Sequence, residues 1–219
     1  MITVYSCRNI NHFKLSATQR SEDKLNSSWA TICNDGCAVT ALAMALAGHN
    51  RTLGPKTVTT PGTMNKWLQT HKGYKCIGKD CNNLNLTAVE TLGGIKCLGE
   101  IKRPALSVLK QWVRLGWGVL AHVKETRTQE TPHHFVLLTG FFANRDNSTF
   151  LVNDGYYNRT VYDFDLITDV IVYRFEEPRS LGTFGADLST GATLEQLECL
   201  QHAASPAEAN IMTSVTIRW

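Results

Sequence analysis

The sequence has no apolar run long enough to cross a membrane, so it predicts no transmembrane segment. It also has little excess charge: 22 Lys and Arg against 19 Asp and Glu leave a net charge of +3, too small and scattered for a nucleic-acid-binding surface. Its cysteines lack the paired Cys-x-x-Cys spacing of zinc sites, so no metal site is predicted. No motif calls for a cofactor. With 219 residues, 43% of them hydrophobic, the chain can form one domain with a full core.

The seven cysteines, the glycosylation sequons and the first residues of the chain are the features that indicate the cellular compartment. The odd count fits one free catalytic thiol with three disulfides, or seven thiols in a reducing compartment. In an oxidising setting we expect a local disulfide in the polar segment 75–98, between two of Cys76, Cys81 and Cys97. Five Asn-x-Ser/Thr sequons favour a secretory route, whereas residues 1–4 open no signal segment. We therefore favour a secreted or a phage- or virion-associated protein over a cytoplasmic one.

Residues 31–48 (TICNDGCAVTALAMALAG) predict a turn that places a cysteine at the start of a buried helix. Residues 34–36 are turn formers and include a glycine that accepts positive φ. Residues 37–47 are small or apolar and contain no helix breaker, and Gly48 suits the C-terminal cap. The positive end of the helix dipole and the unpaired backbone N–H groups there favour a thiolate at Cys37. Cys37 is therefore either a nucleophile or a buried or disulfide-bonded structural cysteine.

A histidine and an aspartate further along the chain supply the partners that a thiol nucleophile requires. Residues 133–142 (HHFVLLTGFF) predict a strand that begins with histidine. After a polar turn, residues 149–155 (TFLVNDG) predict a second strand that ends in a carboxylate. In such a hairpin, the histidine at the start of one strand lies near Asp154 at the end of the other. Cysteine, histidine and Asp or Asn then supply a nucleophile, a base and an orienting group.

The other helices and strands follow from hydrophobic periodicity and from capping residues. Helices are predicted at residues 63–71, 86–92 and 105–115, and strands at residues 2–5, 118–124, 160–165 and 170–175. Thr60 or Thr63 is the predicted N-cap of the first of these helices.

Four segments carry the motifs of a known family. They are GCAVTALAM at residues 36–44, TPGTMNKWL at residues 60–68 with Gly73-Tyr74, HFVLLTG at residues 134–140, and Asn153-Asp154. In this order and spacing they resemble the bacteriocin-processing (double-glycine) peptidase-like family of papain-like cysteine peptidases, especially its free-standing bacterial and phage domains. The resemblance covers residues 19–175. Gly155 departs from the family pattern, which has proline after Asn-Asp.

The resemblance implies a papain-like α+β fold, in which the helix that carries the nucleophile packs on an antiparallel sheet. It assigns Cys37 as the nucleophile, His134 as the base and Asp154 as the residue that orients His134. Asn153 is the fallback for the orienting role. Gln19 would donate its side-chain amide to the oxyanion, together with the backbone N–H of Cys37, and the alternative for Gln19 is a surface residue.

His133 and His122 are rival candidates for the base. Successive residues of a strand face opposite sides, so only one of His133 and His134 can face the thiol, and the resemblance selects His134. His122 lies in the middle of a predicted strand among apolar neighbours, which is typical of a histidine that serves packing.

We therefore predict a papain-like cysteine peptidase domain at residues 1–178, which hydrolyses amide bonds with a Cys-His-Asp triad, and a C-terminal extension of unknown role at residues 179–219. The expected partner is a peptide, protein or peptidoglycan substrate, and the sequence indicates no oligomeric state. Two alternatives stay open on the same scaffold. One is a phage or bacterial peptidoglycan hydrolase (lysin), and the other is a catalytically inactive peptide-binding module.

Overall fold

The computed structural model describes residues 4–6, 24–26, 31–78, 80–128, 130, 132, 134–142, 148–157 and 159–176. For residues 4–6, 33 and 34 the description covers the backbone alone. All described residues belong to one compact unit. Three parts of the sequence prediction lie outside them: Gln19, His133 and the extension at residues 179–219. The boundary at residue 178 therefore stays a prediction.

An antiparallel sheet forms the centre of the fold. The strands are β1 (Val4–Ser6), β2 (Tyr74–Ile77), β3 (Asp80–Leu84), β4 (Ile95–Lys102), β5 (Gly118–Val123), β6 (His134–Phe142), β7 (Thr149–Asn153), β8 (Val161–Asp163) and β9 (Ile167–Phe175). The order across the sheet is β4-β9-β5-β6-β7-β8, with β1 beside the last residues of β6. Strands β2 and β3 form a separate hairpin. Together with the helices, this sheet confirms the predicted α+β class.

The helices include the predicted nucleophile helix. They are α1 (Ile32–Asp35), α2 (Cys37–Gly48), α3 (Pro61–Thr70) and α4 (Leu106–Arg114), with 3₁₀ turns at Ala88–Leu92 and Phe164–Leu166. Helix α2 packs on β5, β6 and α3, and nine of its twelve residues are buried. Ala41, Ala43 and Ala45 have no exposed surface, because their small side chains let the helix lie close to its neighbours. Within the described residues, no helix is long and apolar enough to span a membrane.

Helix α3 begins with a reciprocal cap, which explains why a threonine-rich segment turns into a helix here. The N–H of Thr63 donates to Oγ1 of Thr60 at 3.2 Å, and the N–H of Thr60 donates to Oγ1 of Thr63 at 2.8 Å. Pro61 follows at the first helical position, where a missing N–H costs no hydrogen bond. Of the two predicted N-caps, Thr60 is the one observed.

The predicted turn ahead of Cys37 is wrong in its geometry. Residues Ile32–Asp35 form the short helix α1, and Gly36 links it to α2 with φ −89°, a value open to any residue. The glycine is required for a different reason: a Cβ at Gly36 would lie 2.6 Å from both Cα and O of Ile32. The close approach of the α1 backbone, rather than a positive φ, therefore explains the glycine before Cys37.

We expect Gly36→Ala to lower the free energy of unfolding by about 1–3 kcal/mol, because the added methyl group overlaps backbone atoms that cannot rotate away. Urea denaturation followed by circular dichroism measures the change. Gly54→Ala is the matched control, since a Cβ there meets its nearest atom, Oγ1 of Thr57, at an ordinary 3.6 Å. Equal stability of the two variants would show that the α1 backbone yields to the methyl group.

The cysteine-rich segment contains structure that the sequence does not reveal. Cys76 and Cys81 form a disulfide that links β2 to β3, as expected for a local pair. Cys97 is a free, buried thiol on β4, and Cys37 is free as well. The prediction of one free thiol and three disulfides is therefore wrong. The sequence does not predict strand β4, because its residues (IKCLGEIK) mix charged and apolar side chains. The strand also has a bulge between Cys97 and Gly99, which interrupts the alternation of its side chains.

Candidate active site

Cys37 is the first residue of α2, and its free thiol is half-buried. The N-cap residue of this helix is Gly36, which has no side chain that could cap it. The N–H of Gly36 is bound by O of Ile32 at 3.0 Å, and the N–H of Thr40 by O of Gly36 at 2.8 Å. The two helices thus meet end to end at the cysteine, and the first turn of α2 fixes where its thiol lies.

His134 is the first residue of β6, and its side chain is only 5% exposed. Its Nε2 lies 2.8 Å from Oδ1 of Asp154. The side chain of Cys37 lies close enough to the imidazole to help raise the pKa of His134. Because Nε2 is engaged by the carboxylate, Nδ1 is the ring nitrogen that remains for the thiol. The fold therefore brings Cys37, His134 and Asp154 together, with a hydrogen bond between His134 and Asp154.

Asp154 follows the last residue of β7, and its side chain is fully buried. Its Oδ1 accepts hydrogen bonds from the backbone N–H groups of Tyr156 and Tyr157 at 2.8 and 2.9 Å, in addition to the bond with His134. Its Oδ2 accepts the hydroxyl of Tyr162 at 3.2 Å. The carboxylate is thus held by four donors, which fixes its orientation toward the imidazole.

The electrostatics of the pair favour a charged imidazole and a charged carboxylate. Burial alone would lower the pKa of His134, but hydrogen bonds with Asp154 and Cys37 and the negative charge of both raise it to about 9. Burial alone would raise the pKa of Asp154, whereas the hydrogen bonds from His134, Tyr156 and Tyr157 and the charge of His134 bring it below its ordinary value. At neutral pH the two groups therefore form a buried ion pair.

Asn153 does not face His134. It pairs across the strands with Leu137, which lies an odd number of residues from His134 on β6 and therefore on the opposite face of the sheet. Its Nδ2 atom is buried without a hydrogen-bond partner among the described residues. Asp154, the next residue, is the one that reaches the imidazole. Asp154 keeps this contact although glycine stands at position 155, where the family has proline. Because Asn153 lies on the opposite face of the sheet, the fallback assignment to Asn153 is wrong.

His122 also points away from His134. The register pairs Val123 with His134 and His122 with Phe135, and residues directly opposite each other share a face of the sheet. His122 lies with its Nδ1 3.1 Å from Oδ1 of Asp169, and its ring stacks on Phe135 at 4.2 Å between centroids. These contacts fit the packing role that the sequence indicates.

Tyr162 is a partner of the site that the sequence does not reveal. Its ring is 1% exposed, and β8 lies beside β7, which brings its hydroxyl to Asp154. Burial raises the pKa of Tyr162, so the hydroxyl stays protonated and acts as a donor. The alternating pattern at residues 160–165 predicts a buried tyrosine in a strand. It carries no signal for the hydrogen bond, which depends on the pairing of two strands.

A thiol beside an imidazole that is itself oriented by a buried carboxylate has the groups of a cysteine hydrolase site. Among the described residues, no cluster of three or more His, Cys, Asp or Glu side chains could hold a metal ion. The chain belongs to the family described as Peptidase_C39 like, whose model matches residues 17–174. This confirms the family that the four motifs predict, and it suggests cysteine peptidase activity. A search of curated proteins found no match to the chain.

Proposed function

We propose that this protein is a papain-like cysteine peptidase that hydrolyses amide bonds with Cys37, His134 and Asp154. The observation that supports this most directly is the buried 2.8 Å contact between His134 and Asp154, with the Cys37 side chain close enough to the same imidazole to help raise its pKa. Membership in the family supports the same activity. The expected substrate is a peptide or protein bound across the imidazole.

In the first half of the reaction, the Cys37 thiolate attacks the amide carbonyl carbon and a C–S bond forms. The negative charge that develops on the carbonyl oxygen is stabilised by the backbone N–H of Cys37 and the side-chain amide of Gln19. The C–N bond then breaks, and the proton on His134 passes to the leaving amine nitrogen. A pKa of about 9 supports this role, because the imidazole then carries its proton at neutral pH.

In the second half, neutral His134 accepts a proton from a water molecule that attacks the acyl-enzyme. The C–S bond breaks, the carboxylic acid leaves, and the thiolate faces a protonated imidazole again. Asp154 holds the imidazole through Nε2 in both halves, so that the other nitrogen stays directed at the reacting atoms.

An epoxide-bearing peptide probe tests the nucleophile directly. We expect the probe to label Cys37 at neutral pH faster than it labels free glutathione, and to leave Cys97 unlabelled because that thiol is buried. Peptide mapping by mass spectrometry identifies the labelled residue. His134→Ala should slow the labelling by about 10²-fold, since the thiol loses its base. A Cys37 no faster than glutathione would favour an inactive peptide-binding module.

A further inference from the structure

Two tyrosine rings lie exposed beside the imidazole of His134. Tyr156 is 45% and Tyr157 40% exposed. The ring of Tyr157 meets the imidazole edge to face at 5.1 Å between centroids, and the ring of Tyr156 lies at 6.3 Å. The two tyrosine rings are 4.6 Å apart and nearly perpendicular, so together they form an aromatic corner next to the site. The reaction described above uses their backbone N–H groups alone.

The ring of Tyr157 is fixed by polar contacts on its far side. Its hydroxyl donates to Oε1 of Glu125 at 2.5 Å, and this hydrogen bond is the main reason that its pKa rises to about 12. Arg159 donates to the backbone O of Glu125 at 2.9 Å and places its guanidinium 6.0 Å from the tyrosine ring. A ring held in this way loses little conformational freedom when a ligand packs against it.

Tyr156 differs from Tyr157 in how it is held. Its backbone N–H binds Asp154 at 2.8 Å, whereas its hydroxyl makes no hydrogen bond within the described part of the chain. Its ring is therefore anchored at the backbone and by the edge contact with Tyr157, and 45% of the residue remains exposed. An exposed aromatic pair next to a reactive group is typical of a binding surface.

We propose that Tyr156 and Tyr157 bind the substrate residue on the C-terminal side of the scissile bond and favour a large apolar or aromatic side chain there. This inference rests on the proposed peptidase function. The leaving nitrogen must come within about 2.7–3.2 Å of the imidazole to receive its proton. The Cα of the residue that contains this nitrogen is one bond away, about 1.46 Å. The side chain of that residue therefore extends from beside His134, within reach of both rings.

The experiment uses two peptides that differ only in this residue, Phe in one and Gly in the other. Their remaining sequence comes from a peptide that the wild-type protein cleaves in a pool of tryptic peptides. We expect kcat/KM to favour the Phe peptide by about tenfold. Tyr156→Ala should bring the ratio near one, and Tyr156→Phe should retain it, because the ring remains. Val161→Ala removes another exposed apolar side chain and should also leave the ratio unchanged.

Two results would overturn the inference. If the wild-type protein cleaves both peptides equally, or favours Gly or a charged residue in a wider peptide series, the rings do not select this residue. If Tyr156→Ala lowers kcat/KM for both peptides by the same factor, the ring only shields the His134–Asp154 pair from water. A protein that cleaves no peptide in the pool and fails to react with the epoxide probe would instead contradict the peptidase function itself.

Discussion

Cys37→Ala is expected to abolish amide hydrolysis, with kcat lower by about six orders of magnitude. The variant retains the imidazole and its carboxylate but has no atom that can form the acyl-enzyme, so only slow attack by water remains. The measurement is the rate at which new N-termini appear in a pool of tryptic peptides, followed by mass spectrometry. Because the thiol is half-buried and alanine suits a helix, the unfolding temperature should change little.

Cys97→Ala is the matched control for this prediction. Cys97 is the other free thiol among the described residues, and it lies on β4, whereas His134 lies on β6 with two strands between them. The control variant should cleave the same peptides as the wild type. Hydrolysis that survives in Cys37→Ala would mean that a different residue is the nucleophile, and the assignment of the site would then be wrong.

Asp154→Ala is expected to lower kcat by about three to four orders of magnitude. Alanine removes the acceptor for Nε2 of His134, so the ring loses both its orientation and the negative charge that favours its protonated form. The N–H groups of Tyr156 and Tyr157 and the hydroxyl of Tyr162 lose their acceptor as well. A lower unfolding temperature is therefore expected along with the slower turnover.

Asp154→Asn separates charge from hydrogen bonding. The amide oxygen can accept the same three bonds as Oδ1, and the amide nitrogen can donate to the hydroxyl of Tyr162. We expect a smaller loss of turnover than in Asp154→Ala, with a changed pH profile. In the wild type, kcat/KM should fall as the pH rises through about 9, where His134 loses its proton. Without the carboxylate charge, this alkaline limb should move toward the ordinary histidine pKa of 6.5.

The same ion pair links stability to pH. The pKa of His134 is raised in the folded protein, so the stabilisation from its protonated form is fully present below pH 6.5 and is lost as the pH rises toward about 9. Unfolding temperatures of the wild type should therefore fall over this interval, whereas those of Asp154→Asn should fall less. If kcat/KM falls at the same alkaline pH in the wild type and in Asp154→Asn, the carboxylate charge does not hold the proton on His134.

The parts of the fold that could be predicted are those that depend on local sequence. Helix α2 follows from an unbroken run of small and apolar residues, and β6 and β7 follow from β-rich runs separated by a polar turn. The order of the motifs then led to His134 and Asp154, which the structure brings within 2.8 Å of each other. The function of these residues stays a proposal, and so does the role of Gln19.

The parts that could not be predicted depend on contacts between distant segments. Gly36 looks like a turn former in the sequence. A glycine is needed there because a Cβ would lie 2.6 Å from the backbone atoms of Ile32. The sequence assigns the orienting role to Asp154 with Asn153 as the fallback, and the strand register shows which of them faces His134. The contact of Tyr162 with the carboxylate likewise requires β8 to lie beside β7.

The site is divided between two layers of the protein. His134 begins β6 and Asp154 directly follows the neighbouring strand β7, so the imidazole and the carboxylate belong to the sheet, whereas the Cys37 sulfur belongs to a helix that packs on that sheet. Ala45 of α2 lies against β5, where a Cβ at Gly118 would meet the Ala45 Cβ at 3.4 Å, so small side chains allow a close contact between helix and sheet. A displacement of about 1 Å between the layers would cost about 10²-fold in rate and leave the ion pair untouched. The rate of the proposed reaction therefore depends on the spacing of this helix–sheet contact as well as on the charged groups.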